Sequence, residues 1–269
     1  MKYRLLAFDL DGTLTNSEKK ITERTRAALY EARNKGAAIA LASGRPVYGI
    51  MPLAKELELD TYGGYILAYN GGCIIDCSNM DIVYDKKLPA NLVGKICRFA
   101  KEAGLTIMTY EGDMIVASGD NEYLREEARI NNLPVKIVDD MEKYVTFDVN
   151  KFLITEHPDV INSHIEDVRA HFPELNVFTS APFFMEIVPQ GIDKAEALSS
   201  LLGKLKLQKE ELAAFGDGNN DISMIKYAGC GVAMANASKD CLLAADVVTV
   251  SNDEDGVAVM LEKMMTDTI

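Results

Sequence analysis

The sequence lacks the segments by which membrane and secreted proteins are recognised. No run of about 18 apolar residues, the length that a membrane-spanning helix requires, is present. The amino terminus also lacks the succession of charged, apolar and small residues that makes a signal peptide. Together these absences predict a cytoplasmic protein that does not bind membranes.

Positive charge is also scarce. The 28 Lys and Arg residues are outnumbered by 41 Asp and Glu residues, which gives a formal net charge of -13. Because a nucleic-acid surface needs clustered basic side chains, this balance argues against nucleic acid as a partner. A single local lysine can nevertheless hold a small anionic substrate.

Cysteine and histidine are few and form no ligand pattern. The five cysteines are scattered, odd in number and without a Cys-x-x-Cys pair, which argues against a disulfide framework and a zinc site. We therefore expect most of the cysteines to fill the core. The three histidines recur at a helical spacing of seven residues that makes a helix face, and no chemistry is assigned to them. They are His157, His164 and His171.

The overall composition is that of a globular protein, with 48% hydrophobic and 26% charged residues. The chain of 269 residues is long enough for two domains. Strand-like and helix-like segments alternate over residues 5–69 and again over 194–264, which predicts βαβ units and a parallel sheet of the α/β class. Residues 86–188 mix helices with more exposed strands and predict a separate α+β insert between breaker-rich linkers. The expected domains are 1–85 with 189–269, and 86–188.

Chemistry-bearing residues stand where the predicted strands end. Asp9 and Asp11 follow an apolar run, and Ser43 follows the second predicted strand. In an open α/β sheet, ligands bind at the carboxyl ends of the strands. Side chains two residues apart in an extended segment point the same way, so the two carboxylates could meet one cation or one phosphoryl group. An ordinary Asp-Gly turn is the simpler alternative for Asp11.

The loop after the strand at residues 212–215 repeats this arrangement. Two aspartates and two asparagines fall within the five residues 217–221, and four oxygen-bearing side chains at one strand end favour a hard cation such as Mg²⁺. Lys194 follows the return from the insert, where its ammonium could neutralise phosphate oxygens or crowded acids. Taken singly, Ser43 and Lys194 are weak evidence for a functional site. Their positions, after a predicted strand and after the return from the insert, strengthen that evidence.

Four segments of the chain resemble the motifs of the haloacid dehalogenase superfamily. They are Asp9-x-Asp11-x-Thr13, Ser43, Lys194 and Gly216-Asp217-Gly218-x-Asn220-Asp221. The insert between the second and third motifs, with the Phe-Met-Glu-Ile-Val-Pro run before Lys194, resembles the Cof-type branch of sugar-phosphate phosphatases. The resemblance implies a Rossmann-like core with an inserted, mobile α+β cap of the C2B kind, dependence on Mg²⁺ and hydrolysis of phosphomonoesters.

The resemblance also implies a role for each matched residue. Asp9 would be the nucleophile that forms an aspartyl-phosphate, with Asp217 as a second carboxylate ligand of the metal beside it. Asp11 would protonate the leaving alkoxide and then deprotonate water, while its backbone carbonyl binds the metal. Asp221 would orient Lys194 or a metal-bound water without binding the metal itself. The implied phosphate-binding residues are Leu10, Thr13, Ser43, Gly44, Lys194 and Asn220.

These roles require unequal environments for two neighbouring acids. Asp9 has to stay ionised, whereas Asp11 has to be able to carry a proton. We expect the metal and Lys194 to favour the charged form of Asp9, and cap closure to favour the protonated form of Asp11.

Two other functions stay open on the sequence alone. A phosphohexomutase-like phosphotransferase can share this core and a similar cap. A non-enzymatic phospho-switch also combines an acceptor aspartate, acids, a hydroxyl and a lysine, although Asp11 argues against it, because a receiver retains its phosphoryl group by lacking such an acid. The leading prediction is a phosphatase of small phosphorylated metabolites, as a monomer or weak homodimer.

Overall fold

The computed structural model describes residues 1–266, and the chain divides into two compact units. The first, called here the core unit, comprises Met1–Tyr84 and the chain from Asp193 onward. The second, the insert unit, comprises Asp85–Ile192. None of the helices in the described part of the chain has the length and apolarity needed to cross a membrane.

Residues 1–266 contain fourteen β-strands and eleven α-helices. The strands are β1 Leu5–Phe8, β2 Ala38–Ala42, β3 Tyr65–Ala68, β4 Cys73–Asp76, β5 Ile82–Asp85, β6 Ile107–Glu111, β7 Met114–Ala117, β8 Val135–Ile137, β9 Phe152–Thr155, β10 Leu175–Ala181, β11 Phe184–Pro189, β12 Leu212–Gly216, β13 Cys230–Ala233 and β14 Val247–Val248. The α-helices are α1 Glu23–Asn34, α2 Val47–Glu56, α3 Leu59–Tyr62, α4 Ala90–Glu102, α5 Glu122–Asn131, α6 Met141–Tyr144, α7 Pro158–His171, α8 Lys194–Leu205, α9 Ile222–Tyr227, α10 Lys239–Ala244 and α11 Gly256–Met265.

The core unit is built on an eight-stranded sheet with the order β14-β13-β12-β1-β2-β3-β4-β5. Neighbouring strands from β14 to β3 run parallel, and β4 runs antiparallel to β3. All four residues of β1 are buried, because the alternate side chains of this central strand pack on two separate apolar clusters. Helices on both faces explain why the central strands read as continuous apolar runs. The predicted α/β class with a parallel sheet is confirmed.

The connection into α8 is fixed by a close backbone approach. Asp193 caps the helix by accepting hydrogen bonds from the backbone N–H groups of Ala195 and Glu196. Gly71 has a φ of +96°, and a Cβ at this position would lie 2.6 Å from the Asp193 carbonyl oxygen. A glycine is therefore needed for the turn after β3 to pack against the start of α8, whose first residue is Lys194.

The insert unit has a six-stranded sheet with the order β10-β11-β9-β6-β7-β8. Apolar residues of β6, β7 and β9 pack with α4, α6 and α7 in one cluster. The mixture of helices and strands predicted for residues 86–188 is present, and it includes the short elements α6 and β8. The three residues of β8 are all exposed, and three residues are too few for an alternating pattern to identify a strand. His157 is the amino-terminal cap of α7, and His164 and His171 lie within that helix.

We expect the aromatic pair between the central strands to contribute strongly to stability. Phe8 and Phe215 are both fully buried, with ring centroids 4.8 Å apart. Phe215→Ala is expected to lower the free energy of unfolding by about 3–5 kcal/mol, because it leaves a cavity in the core. Urea unfolding followed by circular dichroism measures this change. Leu243→Ala, at an apolar residue that is 76% exposed, is the control and should change stability by less than about 0.5 kcal/mol. Equal effects of the two substitutions would contradict the prediction.

Candidate active site

Parallel pairing brings three strand ends to one edge of the core sheet. Asp9 follows β1, and its backbone N–H donates to the carbonyl oxygen of Phe215 in β12 at 2.9 Å. Ser43 follows β2, and its backbone N–H donates to the carbonyl oxygen of Leu67 in β3 at 2.9 Å. The sequence placed these residues at strand ends, and the register of the sheet brings the ends together.

Lys194 joins these strand ends. Its buried ammonium donates to Asp9 Oδ1 at 2.7 Å, to Asp221 Oδ1 at 2.6 Å and to the Ala42 carbonyl oxygen at 2.8 Å. An ammonium has three donors, so all of its hydrogen bonds are made within this cluster. Burial lowers the pKa of Lys194, but the two carboxylates outweigh it and hold the pKa above its usual value.

Asp9 is buried among acids as well as beside the lysine. Burial raises the pKa of Asp9 above its usual value; Asp221 and Asp217 add to that increase, while Lys194 opposes it. One ammonium therefore does not balance the carboxylates around it.

The loop after β12 supplies the other two acids. Asp217 Oδ1 accepts a hydrogen bond from the Thr13 hydroxyl at 2.8 Å, and burial raises the pKa of this carboxylate despite that bond. Asp221 Oδ2 accepts the backbone N–H groups of Asp217 at 3.1 Å and Gly218 at 2.8 Å. Asp221 thus shapes the loop with one oxygen and holds Lys194 with the other, the kind of orienting contact predicted for it.

Three of these carboxylates suit a hard cation. Oxygen atoms of Asp9, Asp217 and Asp221 all lie within 4.8 Å of one another. Hard divalent cations take carboxylate oxygens as ligands, and a cation would offset the unbalanced negative charge of the cluster. The donor set therefore fits a divalent metal, with Asp9 and Asp217 as the better candidates because both Asp221 oxygens already accept hydrogen bonds.

Asp11 lies in a different environment, beside two basic side chains that the sequence did not predict as its partners. Arg45 donates from Nε to Asp11 Oδ2 at 2.9 Å and from Nη2 to Oδ1 at 2.6 Å. Lys19 Nζ adds a third hydrogen bond to Oδ1 at 2.9 Å. Burial would raise the pKa of Asp11, but Arg45 and Lys19 bring it below its usual value. In this arrangement Asp11 is a paired carboxylate, and the expectation that it can carry a proton when the cap closes stays a prediction.

The remaining predicted phosphate-binding residues surround the same edge. Ser43 is buried, and its Oγ accepts the backbone N–H of Arg45 at 3.2 Å. Asn220 Nδ2 donates to Asn70 Oδ1 at 3.0 Å, and Gly44 adjoins the same Asn70 side chain.

The loop after β1 contains the last two predicted phosphate-binding residues, Leu10 and Thr13. The Leu10 carbonyl oxygen accepts two hydrogen bonds from Thr15 and closes the turn after β1. The Thr13 hydroxyl is committed to Asp217, so its contact here is with a candidate metal ligand, whereas the sequence predicted a contact with phosphate. Gly12 packs against the same carboxylate, since its φ is +87° and a Cβ there would lie 2.5 Å from Asp217 Oδ2.

The sequence of the chain is similar to those of known proteins. Residues 6–261 match the family of haloacid dehalogenase-like hydrolases. The chain is 34% identical to the Bacillus subtilis 5-amino-6-(5-phospho-D-ribitylamino)uracil phosphatase YcsE, over 95% of this chain and 93% of that protein.

The fold of the chain is also similar to solved structures. A crystal structure of a haloacid dehalogenase-like hydrolase from Bacteroides thetaiotaomicron is 43% identical, with a TM-score of 0.94 over 97% of this chain and 99% of that one. The subclass IIB sugar phosphatase BT4131 is 26% identical, with a TM-score of 0.82 over 97% of this chain and 99% of that one.

A divalent cation is expected to stabilise the folded protein through these carboxylates. Thermal unfolding in magnesium chloride should give a higher Tm than in EDTA, because a cation that binds only the folded state adds about 2.7 kcal/mol at a hundred times its Kd. Asp217→Asn should lose most of that shift. Asp240→Asn replaces an exposed aspartate of α10 and should keep it. A full shift in Asp217→Asn would contradict the assignment of Asp217 as a ligand.

Proposed function

The chain belongs to the haloacid dehalogenase-like hydrolase family, and on that premise we propose that it is a magnesium-dependent phosphatase that hydrolyses phosphomonoesters through an aspartyl-phosphate. A Bacillus subtilis relative and a structural neighbour of the chain are both named as phosphatases. The observation that supports the proposal best is the hydrogen bond from the buried Lys194 ammonium to Asp9 Oδ1, close to the carboxylates of Asp217 and Asp221. That arrangement would hold the proposed carboxylate nucleophile in place and would supply part of the positive charge that a phosphoryl group needs.

Asp9 is the proposed nucleophile. Lys194 binds Oδ1, which leaves Oδ2 to attack phosphorus. A bond forms between this oxygen and phosphorus, the ester P–O bond breaks, and the electron pair of that bond goes to the leaving alkoxide. Bound to Asp9 and Asp217, Mg²⁺ would supply positive charge that offsets the charge of the phosphoryl oxygens. Ser43 and Asn220 are the proposed hydrogen-bond donors to those oxygens.

Asp11 is the proposed acid and base. It gives a proton to the leaving alkoxide and later takes one from the water that attacks the aspartyl-phosphate. Both of its oxygens are held by Arg45 in the arrangement seen here, so Asp11 has to be released before it can carry a proton.

The relatives indicate the class of substrate. The Bacillus subtilis relative acts on a phosphorylated ribityl compound, and one structural neighbour is a sugar phosphatase. Both names describe a phosphate on a polyhydroxylated carbon chain. We therefore propose a sugar or polyol phosphate as the substrate, with residues 1–85 and 189–269 carrying the chemistry and 86–188 acting as the cap that selects the leaving group.

Asp9→Asn is expected to abolish phosphate release, because an amide is not a nucleophile toward phosphorus. The measurement is inorganic phosphate released from a panel of sugar and polyol phosphates, including a ribityl phosphate, with magnesium or with EDTA. Asp240→Asn, in α10 and exposed, is the matched control and should keep wild-type rates.

Each other outcome has a definite meaning. Undiminished release by Asp9→Asn would refute the nucleophile. Transfer from a sugar bisphosphate without net phosphate release would indicate a mutase. A phosphoprotein that persists for minutes without turnover would indicate a phospho-switch.

Asp11→Asn is expected to lower kcat by about 100- to 10,000-fold, because general acid and base catalysis is lost. The stabilisation of the protein by magnesium should persist, since the side chain of Asp11 lies outside the carboxylate group formed by Asp9, Asp217 and Asp221. Turnover and Tm are measured on the same preparation. A wild-type kcat would refute the role of Asp11, and loss of the magnesium shift would place its side chain at the metal.

A further inference from the structure

Arg45 is a cation of the core unit for which the proposed chemistry has no task. We propose that Arg45 is a substrate-binding residue that changes partners: it holds the carboxylate of Asp11 in the arrangement seen here and binds an oxygen of the phosphorylated substrate when that substrate enters, which releases Asp11. The inference rests on the proposed function, because it assumes that Asp11 is the acid and base.

The contact between Arg45 and Asp11 has the geometry of anion recognition. Two guanidinium nitrogens reach two different carboxylate oxygens, Nε to Oδ2 at 2.9 Å and Nη2 to Oδ1 at 2.6 Å. The Arg45 side chain is 17% exposed. A planar guanidinium presents the same fork to two oxygens of a phosphate. The carboxylate of Asp11 therefore occupies donors that suit the substrate.

The contact conflicts with catalysis if it is permanent. A carboxylate that accepts hydrogen bonds from Arg45 on both oxygens, and a third from Lys19, has only one of its roughly four lone-pair positions left. The side chain cannot turn to present that position to the ester while Arg45 holds both oxygens. A largely buried guanidinium without an anion is itself unfavourable. The release of Asp11 therefore requires another anion for Arg45, and the incoming phosphoester is the anion that the site receives.

The backbone of Arg45 is held at the correct end of the sheet for this exchange. Its N–H donates to Ser43 Oγ at 3.2 Å, and its carbonyl oxygen accepts the N–H of Tyr69 at 3.0 Å. Only the side chain has to move. Lys194 cannot take this role without breaking its cluster, because its three donors are used by Asp9, Asp221 and Ala42.

The test is a double-mutant cycle on the binding of inorganic phosphate, measured by titration calorimetry in magnesium buffer. Four full-length proteins are compared: wild type, Arg45→Gln, Asp11→Asn and the double variant. Arg45→Gln should weaken binding about 10- to 100-fold, as expected for the loss of hydrogen bonds to a charged group. Asp11→Asn should tighten binding, because Arg45 no longer has to leave a carboxylate. That gain should shrink in the Arg45→Gln background, where there is no guanidinium to release.

Lys19→Met provides the matched control for charge. Lys19 contacts the same carboxylate but its side chain is 62% exposed, so its removal should change phosphate affinity by no more than about twofold. An equal loss in Lys19→Met and Arg45→Gln would overturn the proposal in favour of a general charge effect. Additive effects of Asp11→Asn and Arg45→Gln would overturn it too, because the two side chains would then act on phosphate binding independently.

Two further measurements separate the possible failures. If Arg45→Gln does not fold, Arg45→Lys keeps the charge without the fork and should still weaken phosphate binding; unchanged binding in that variant would overturn the proposal. Turnover of the panel by the wild type tests the proposed function independently. If the wild type turns over a substrate but the double-mutant cycle is additive, only the proposed exchange of partners by Arg45 is rejected. If the wild type turns over no substrate, the proposed phosphatase function is rejected.

Discussion

The buried ammonium of Lys194 is the interaction on which the rest of the site depends. It takes one hydrogen bond partner from each of three adjacent strands, namely Ala42 at the end of β2, Asp9 after β1 and Asp221 after β12. A buried charge is tolerated only with such partners, and the loss of one member of a buried ion pair typically costs about 3–5 kcal/mol. The parallel register and the start of α8 are therefore both constrained by one side chain. The same contacts orient Asp9.

The two acids of the first loop have opposite electrostatic surroundings. Burial and neighbouring acids raise the pKa of Asp9, whereas Arg45 and Lys19 outweigh burial and lower that of Asp11. The proposed chemistry requires the reverse, an ionised Asp9 and an Asp11 that can carry a proton. On that proposal, what binds at the site has to produce the reactive charge distribution. A cation would favour the charged form of Asp9, and a substrate anion that occupies Arg45 would remove the strongest stabilisation of the charged form of Asp11.

The sequence predicted the site as far as backbone topology determines it. Asp9, Ser43 and Lys194 were placed correctly relative to strands and helices because apolar runs and turn residues locate strand ends, and parallel strands end at one edge. The hydrogen bonds of Arg45 to Asp11 and of Thr13 to Asp217 were not predicted, because they depend on side-chain directions within an irregular loop. Arg45 stands two residues after Ser43, which was the available signal. The elements α3, α6 and β8 could not be predicted, because a helix of one turn or a strand of three residues offers no repeat of a hydrophobic pattern.

The insert unit separates Asp9 from Lys194 in sequence. Contacts within the insert unit limit the loss of chain entropy that bringing the two residues together requires. The segments that enter and leave it lie together: Lys86 Nζ donates to the Gly191 carbonyl oxygen at 3.3 Å. Asn150 Nδ2 also donates to Asp85 Oδ1 at 2.5 Å, which fixes the entering segment to the body of the unit. A folded unit whose ends meet adds little closure entropy to the connection between β5 and α8, since that entropy depends on the freedom of the chain between two joined points. Lys194 can therefore reach Asp9 as if the connection were short, so the cluster that orients Asp9 forms across the insertion.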